Sequence, residues 1–223
     1  MNQDDKKRAA AERAISLLPK DAFIGVGTGS TVNYFIDALA KIKNDIRGAV
    51  ATSPDSKERL LKVGIPVVSP TDAGRLPVYV DGADQINHVL QMIKGGGGAL
   101  LSEKLIANWS EQFICIADDS KFVSRFTHPL PVEVIPFARS IVAQTLVKMG
   151  AQPQWRMNFK TEHSHEILDV SGLNLDEPIR MENTLNDIIG VMENGLFAKR
   201  PADVLVLAND RDTEIITLTS VQS

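Results

Sequence analysis

Short apolar runs alternate with amphipathic stretches through the first half of the chain. Runs of this length are typical of buried strands, and we predict strands at 22–27, 49–52, 66–68, 77–80 and 112–117. Apolar residues at helical spacing predict a helix that ends before Pro19, a second at 32–43 capped by Ser30 or Thr31, and others at 56–63 and 99–109. Buried strands that alternate with helices favour a parallel sheet covered on both faces, which is a Rossmann-like α/β fold.

The pattern changes near Thr127. Strands are expected at 131–135, 154–158, 166–170 and 191–197, with helices at 137–149 and 179–189. This β-α-β-β-α-β order is that of a small α+β domain of the ferredoxin-like, split β-α-β type. The apolar run 202–208 then returns to the first sheet. We therefore predict a Rossmann-like domain formed by 1–126 and 201–223, with the small α+β domain inserted at 127–200.

Charge and hydropathy exclude several classes of protein. The chain has 24 basic and 28 acidic residues, a net charge of −4, which argues against a nucleic-acid binder and against attraction to an anionic membrane. No apolar stretch approaches the roughly 18–20 residues that cross a bilayer, and the charged N-terminus does not resemble a secretory signal. Cys115 is expected to be a buried strand residue rather than a nucleophile. These features favour a compact cytoplasmic enzyme.

A glycine-rich turn, Gly25-Val-Gly-Thr-Gly-Ser-Thr31, connects the first predicted strand to the next helix. Amides at a helix N-terminus favour an anion, and the hydroxyls of Thr28, Ser30 and Thr31 add donors, so the segment suits a phosphate monoester. It lacks the G-x-G-x-x-G spacing of a dinucleotide site and the Lys-Ser or Lys-Thr pair of a P-loop. An ordinary loop turn is the alternative.

Two more segments stand close to strand ends, at the edge where parallel sheets bind ligands. Asp81-Gly-Ala-Asp84 supplies two carboxylates that could accept sugar hydroxyls or exchange protons with them, although solvated turn residues would look the same. Lys94-Gly-Gly-Gly-Gly-Ala99 is costly to order, and its consecutive amides can form an anion- or oxyanion-binding concavity. A flexible hinge is the alternative for this glycine run.

Glu103 lies just inside the helix that follows the glycine run. Leu101, Leu105 and Trp109 are predicted to form the buried stripe of that helix, and Glu103 lies about 200° from Leu101 at about 100° per residue. Alone, Glu103 would be assigned as a solvated glutamate near a positive helix end. The glycine segments, the two aspartates and Lys94 are expected to surround one pocket that also holds it.

Together these segments resemble the A-type ribose-5-phosphate isomerase family. The resemblance covers nearly the whole chain and rests on the order and spacing of several motifs. They are Gly25–Thr31, Asp81–Asp84, Lys94–Ala99 with Glu103-Lys104, Pro131-Val-Glu-Val-Ile-Pro136, Ile167-Leu-Asp-Val170, Met181-Glu-Asn183 and Gly195-Leu-Phe197.

The resemblance implies interconversion of D-ribose 5-phosphate and D-ribulose 5-phosphate through an enediolate, in the non-oxidative pentose phosphate pathway, without metal or nucleotide cofactor. It implies a small sugar-phosphate ligand and a homodimer or homotetramer, with the small domain at the oligomer interface. Glu103 would move the proton between C2 and C1. Asp81, Asp84 and Lys94 would share ring opening, proton movement between O1 and O2, and oxyanion stabilisation. The implied substrate contacts are Thr28, Gly29, Ser30, Thr31, Asp81, Gly82, Ala83, Asp84, Lys94, Gly95, Gly96, Gly97 and Lys121.

Some positions depart from the family pattern. Gln85 stands where an acid often follows the second aspartate, and Thr161-Glu-His-Ser-His165 replaces an Asn-Gly type of turn. His163 and His165 would share one face of a strand, but no third ligand is evident, so we interpret them as solvated turn residues rather than metal ligands.

Two other functions fit a similar scaffold. One is a sugar-phosphate sensor without catalysis, which would normally carry a DNA-binding domain. The other is an amino-sugar-phosphate isomerase/deaminase. The combination of both glycine segments with Glu103 favours the ribose-5-phosphate isomerase over either.

Overall fold

The computed structural model describes residues 1–218, which form seven α-helices and thirteen strands. The helices are α1 Gln3–Ile15, α2 Ser30–Leu39, α3 Pro54–Lys62, α4 Pro70–Ala73, α5 Leu100–Asn108, α6 Arg139–Lys148 and α7 Pro178–Asn186. The strands are β1 Phe23–Val26, β2 Gly48–Ala51, β3 Leu76–Asp81, β4 Gln85–Ile86, β5 Met92–Ile93, β6 Ser110–Asp118, β7 Leu130–Val134, β8 Gln152–Trp155, β9 Glu166–Ser171, β10 Val191–Asn194, β11 Leu196–Phe197, β12 Val204–Ala208 and β13 Thr213–Thr217.

The central sheet has the strand order β13-β12-β6-β3-β1-β2. All neighbouring strands are parallel except β13, which is antiparallel to β12. Apolar side chains of α1, α2 and α3 cover one face of this sheet, and those of α5 contribute to the core on the other face. The predicted Rossmann-like fold and the return of the run 202–208 to the first sheet are therefore confirmed.

A second sheet of four strands has the order β10-β7-β9-β8, and every neighbouring pair is antiparallel. Helices α6 and α7 pack on one of its faces through Val142, Leu146 and Leu185. This is the ferredoxin-like arrangement that the β-α-β-β-α-β order predicts.

Several details of the predicted secondary structure are wrong. The strand expected at 154–158 lies at Gln152–Trp155, and the chain turns at 157–158. The predicted strand at 66–68 forms only a single bridge between Val67 and Ala49. The second helix begins at Ser30 with Gly29 as its N-cap, rather than Ser30 or Thr31. The predicted strand at 191–197 is two strands, because the chain changes sheets at Gly195. Its N–H donates to the Pro131 carbonyl (2.8 Å) while its carbonyl accepts from the Lys94 N–H (2.9 Å).

Three short strands were not predicted. Strands β4 and β5 have two residues each, too few to give a periodic pattern, and they join β11 in a small antiparallel sheet. The third, β13, forms an antiparallel hairpin with β12 at the edge of the central sheet.

The order of strands in the central sheet creates a crevice between β1 and β3. From β1 the chain passes to β2 on one side and then to β3 on the other, so the connections leave in opposite directions. Ligands bind at such a reversal, outside the carboxyl ends of the strands. The segments that follow β1, β3 and β6 all lie at this edge. Within residues 1–218, no helix is long and apolar enough to cross a bilayer.

Candidate active site

A pocket of about 370 Å³ opens at this edge of the sheet. Every predicted site residue except Asp81 lines it. Three lining residues, Lys7, Asn33 and Asp55, were missed by the sequence analysis. Lys7 lies in the charged stretch Asp4–Arg8, where one functional lysine has the same appearance as its solvated neighbours. Only the fold, which packs α1 beside α2, reveals that Lys7 reaches the pocket.

One end of the pocket is built to hold an anion. Helix α2 begins there, and no side chain caps its first turn, so the amides at its N-terminus remain available to an anion. Thr28, Ser30 and Thr31 add hydroxyls, and Lys7 and Lys121, which line the same pocket, add positive charge. This combination suits a phosphate group.

Asp81 lies behind the pocket wall at the end of β3 and is fully buried. One carboxylate oxygen accepts from the amides of Thr28 (3.1 Å) and Gly82 (2.7 Å). The other accepts from the Tyr79 hydroxyl and lies 2.8 Å from the Lys94 ammonium. A side chain at position 27 would collide with this carboxylate, since a Cβ there would lie 1.9 Å from it. The alternative interpretation of Asp81 as a solvated turn residue is therefore wrong.

Lys94 connects the buried acids. Its ammonium donates to the Gly82 carbonyl (2.6 Å) and lies 3.4 Å from Glu103. Burial alone would lower the pKa of Lys94, but the charges of Asp81 and Glu103 outweigh that effect and raise it above the ordinary value. Lys94 is thus held as a cation.

Glu103 is only 2 % exposed, yet it lines the pocket. Its Oε2 has no hydrogen-bond partner among residues 1–218, although Lys94 is close. Burial raises the pKa of Glu103 to about 8; the Lys94 charge opposes this rise, while the charge of Asp81 adds to it. A buried carboxylate that lines a pocket and has a raised pKa is suited to accept a proton.

Helix α5 is rotated about its axis relative to the prediction, so that the face expected to be buried is largely exposed. Leu105 and Trp109, expected in the buried stripe, are 57 % and 50 % exposed. The buried face instead carries Glu103 and Lys104, together with Leu100, Ile106 and Ala107. The prediction from apolar periodicity was wrong because two charged residues face inward. Each lies beside groups of opposite charge: Lys94 for Glu103, and Glu182 and Glu193 for Lys104.

The glycine run also lines the pocket, through Gly95, Gly96 and Gly97. The Gly96 amide donates to Asp84 Oδ2 (2.8 Å), and the Gly98 amide donates to the Gly95 carbonyl (2.9 Å). The alternative of a flexible hinge is not supported, because both hydrogen bonds fix the run in place. Asp84, unlike Asp81, lines the pocket and is partly exposed.

The two histidines of the 161–165 turn lie outside the pocket. His165 Nδ1 lies 2.9 Å from buried Glu133, so it is not the solvated turn residue we expected. His163 Nε2 lies 2.9 Å from the Ser102 hydroxyl. No group of three or more metal-ligating side chains occurs in the described part of the chain. Cys115 is buried, as predicted, and burial raises the pKa of its thiol to about 12.

Comparison with known proteins places these features in one family. The model of the ribose 5-phosphate isomerase A (phosphoriboisomerase A) family matches residues 48–212. A ribose-5-phosphate isomerase A of Neisseria meningitidis serogroup C is 53 % identical over 215 residues, 96 % of either chain.

Solved structures agree with this similarity. The crystal structure of ribose 5 phosphate isomerase A from Neisseria gonorrhoeae is 52 % identical, covers 97 % of both chains and superposes with a TM-score of 0.95. A D-ribose-5-phosphate isomerase in complex with phospho-erythronic acid is 35 % identical, with a TM-score of 0.93 over 97 % of this chain and 100 % of the other.

Proposed function

The chain belongs to the ribose 5-phosphate isomerase A family, and from that premise we propose that Glu103 is the base of the isomerisation it catalyses. The enzyme interconverts D-ribose 5-phosphate and D-ribulose 5-phosphate. The observation that carries the assignment of Glu103 is its buried carboxylate, which lines the pocket with Oε2 3.4 Å from the Lys94 ammonium.

The reaction moves one proton between two carbons. In the open-chain aldose, Glu103 takes the proton from C2, and the electron pair of the broken C–H bond forms a C1–C2 double bond, leaving negative charge on oxygen. The protonated Glu103 then returns the proton to C1 while the proton of O2 passes to O1, giving the ketose. A carbon acid is weak, so this base needs matched stabilisation of the oxygen charge. We assign that stabilisation to Lys94 and to the amides of the glycine run.

The contacts of the two aspartates support different roles for them. Asp81 is surrounded by four donors, two amides, the Tyr79 hydroxyl and Lys94, which use both of its carboxylate oxygens. We therefore assign Asp81 to holding Lys94 and the Thr28 segment. Asp84 lines the pocket and uses one oxygen for the Gly96 amide, so we assign it to the sugar hydroxyls, in ring opening and in proton movement between O1 and O2.

The phosphate is assigned to the N-terminus of α2. We propose that Lys7 joins Lys121 and the Thr28–Thr31 segment in binding it, because both lysines line the pocket and supply positive charge. The relative solved with phospho-erythronic acid supports a phosphorylated ligand of sugar-acid type in this pocket.

Thr31→Ala is expected to raise KM for ribose 5-phosphate about tenfold and to leave kcat within about twofold, because a phosphate contact persists from ground state to transition state. Steady-state kinetics measure both constants. The matched control is Thr71→Ala, an exposed threonine of α4 outside the pocket, which is expected to change neither. A large fall in kcat with KM unchanged would contradict this division of labour.

The raised pKa of Glu103 predicts the pH dependence of the free enzyme. Only the ionised carboxylate accepts the C2 proton, so kcat/KM is expected to fall as the pH decreases through about 8. A pH profile of kcat/KM tests this expectation. The affinity for inorganic phosphate, measured over the same pH range, is the control for ionisation of the phosphate group itself. An acid limb near the ordinary glutamate pKa of about 4.3 would contradict it.

We also propose that the chain divides at 127 and 201 and forms a homodimer or homotetramer through the small α+β domain. Two large apolar side chains on adjoining segments of that domain support this: Phe137 is 91 % exposed and Ile189 is 93 % exposed. Apolar surface that is left in contact with water in a single chain often marks a protein–protein interface. Analytical ultracentrifugation measures the oligomeric state, and a Phe137→Asp variant tests whether this surface forms the interface.

Cytoplasmic localisation remains a prediction.

One assay separates the isomerase from the sensor. Incubation of the purified protein with ribose 5-phosphate, with no added metal or nucleotide, is expected to give ribulose 5-phosphate. Binding of the sugar phosphate without ketose formation would favour the sensor.

A further inference from the structure

The glycine run Gly95–Gly98 is held from outside the pocket by Arg156, which follows β8 in the small α+β domain. Arg156 Nη1 lies 3.2 Å from the Gly96 carbonyl and 3.5 Å from the Gly95 carbonyl. Arg156 does not line the pocket. A glycine run loses much conformational entropy on ordering, so contacts that fix it determine how its amides point.

The guanidinium is itself held rigidly. Asp169 on β9 binds it bidentately, through Nε at 2.9 Å and Nη2 at 2.5 Å. The guanidinium also lies 5.2 Å from the centre of the Phe159 ring. The Phe159 ring packs closely against the glycine run, since a Cβ at Gly98 would lie 2.2 Å from the ring. Arginine can make both sets of contacts because its planar fork presents several donors in fixed directions.

Binding the carbonyls on one side orients the amides on the other. In a trans peptide the C=O of one residue and the N–H of the next point in opposite directions. The Gly95 carbonyl turned toward Arg156 therefore directs the Gly96 N–H away from it, and that N–H meets Asp84 at 2.8 Å on the pocket side. By the same geometry the Gly96 carbonyl directs the Gly97 N–H toward the pocket. The Gly97 amide has no acceptor within residues 1–218.

We propose that Arg156, fixed by Asp169, is a positioning residue that presents the Gly97 amide and Asp84 to the reacting oxygens of the sugar. This inference rests on the proposed function, which assigns oxyanion stabilisation to the glycine run. Through Arg156, the small domain contributes to catalysis, although Arg156 itself does not line the pocket. Loss of one preorganised oxyanion donor typically costs about 10²–10³ in kcat, and a loosened donor costs less.

The test compares Arg156→Ala and Arg156→Lys with the wild-type enzyme, and uses Arg125→Ala as the matched control. Arg125 belongs to an exposed ion pair with Asp176 and does not contact the glycine run. Both Arg156 variants are expected to lower kcat about tenfold or more, while the affinity for inorganic phosphate stays within about twofold. Added guanidinium, below denaturing concentrations, is expected to restore part of the kcat of Arg156→Ala. Arg125→Ala is expected to match the wild type.

Two results would overturn the inference. One is a kcat within about twofold of the wild type in both Arg156 variants. The other is a lower kcat that guanidinium does not restore and that follows the loss of folded protein in a thermal melt; this would leave Arg156 a purely structural role. If Arg156→Ala does not fold, the kcat of Arg156→Lys tests the inference instead, since lysine retains the charge and the aliphatic part of the side chain. Failure of the proposed base would appear separately, as an active Glu103→Gln enzyme.

Discussion

Glu103→Gln is expected to lower kcat at least about 10²–10⁴-fold, the usual contribution of a general base. Glutamine keeps the size and hydrogen-bonding capacity of the side chain but does not accept the C2 proton. The variant is expected to bind inorganic phosphate as the wild type does, because the Thr28–Thr31 segment and both phosphate-end lysines are unchanged. Steady-state kinetics and a phosphate titration measure the two effects.

The matched control for this change is Glu111→Gln, an exposed glutamate at the start of β6. It is expected to leave kcat and phosphate affinity unchanged. If Glu103 were only a structural glutamate, Glu103→Gln would behave in the same way.

Lys94→Met is expected to reduce both catalysis and stability. The change leaves Asp81 and Glu103 as neighbouring buried carboxylates without their cation, and breaking such a buried pair typically costs about 3–5 kcal/mol. Losing the charge next to the developing oxyanion is expected to lower kcat by about 10² or more. The pKa of Glu103 should rise further, since the Lys94 charge holds it down. Denaturant unfolding, kinetics and a pH profile measure the three effects.

A second variant separates the two losses. Lys94→Met combined with Asp81→Asn removes both charges of the buried pair, so it is expected to recover part of the stability and none of the activity. Lys62→Met, which changes an exposed lysine paired with Glu58, serves as the matched control and is expected to preserve both. Wild-type kcat in Lys94→Met would contradict the oxyanion role of this lysine.

Local patterns in the sequence were enough to predict the two sheets and most of the pocket. Strands such as β6 and β12 are continuous apolar runs, and the anion-binding turn Gly25–Thr31 is contiguous in the chain, so both carry their signal within a few residues. The orientation of α5 could not be obtained in this way. Its inward face carries Glu103 and Lys104, whose burial depends on partners distant in the sequence, such as Lys94 and Glu182.

The missed residues share the same cause. Lys7 reaches the pocket only because α1 packs beside α2, and Arg156 reaches the glycine run only because the small domain lies against it. Neither residue stands in a motif. Sequence spacing likewise could not distinguish Asp81 from Asp84, although one is buried among four donors and the other lines the pocket.

In the proposed mechanism, Glu103 itself carries the proton between C2 and C1. The most direct measurement is incorporation of solvent deuterium at the carbon next to the carbonyl, followed by NMR for the Glu103→Gln enzyme incubated with ribose 5-phosphate in D₂O. We predict that this exchange is lost together with isomerisation, while the wild type and Glu111→Gln both isomerise at equal rates and exchange equally. Near-normal exchange in Glu103→Gln would contradict the account and would transfer the role of base to Asp84 or Asp81.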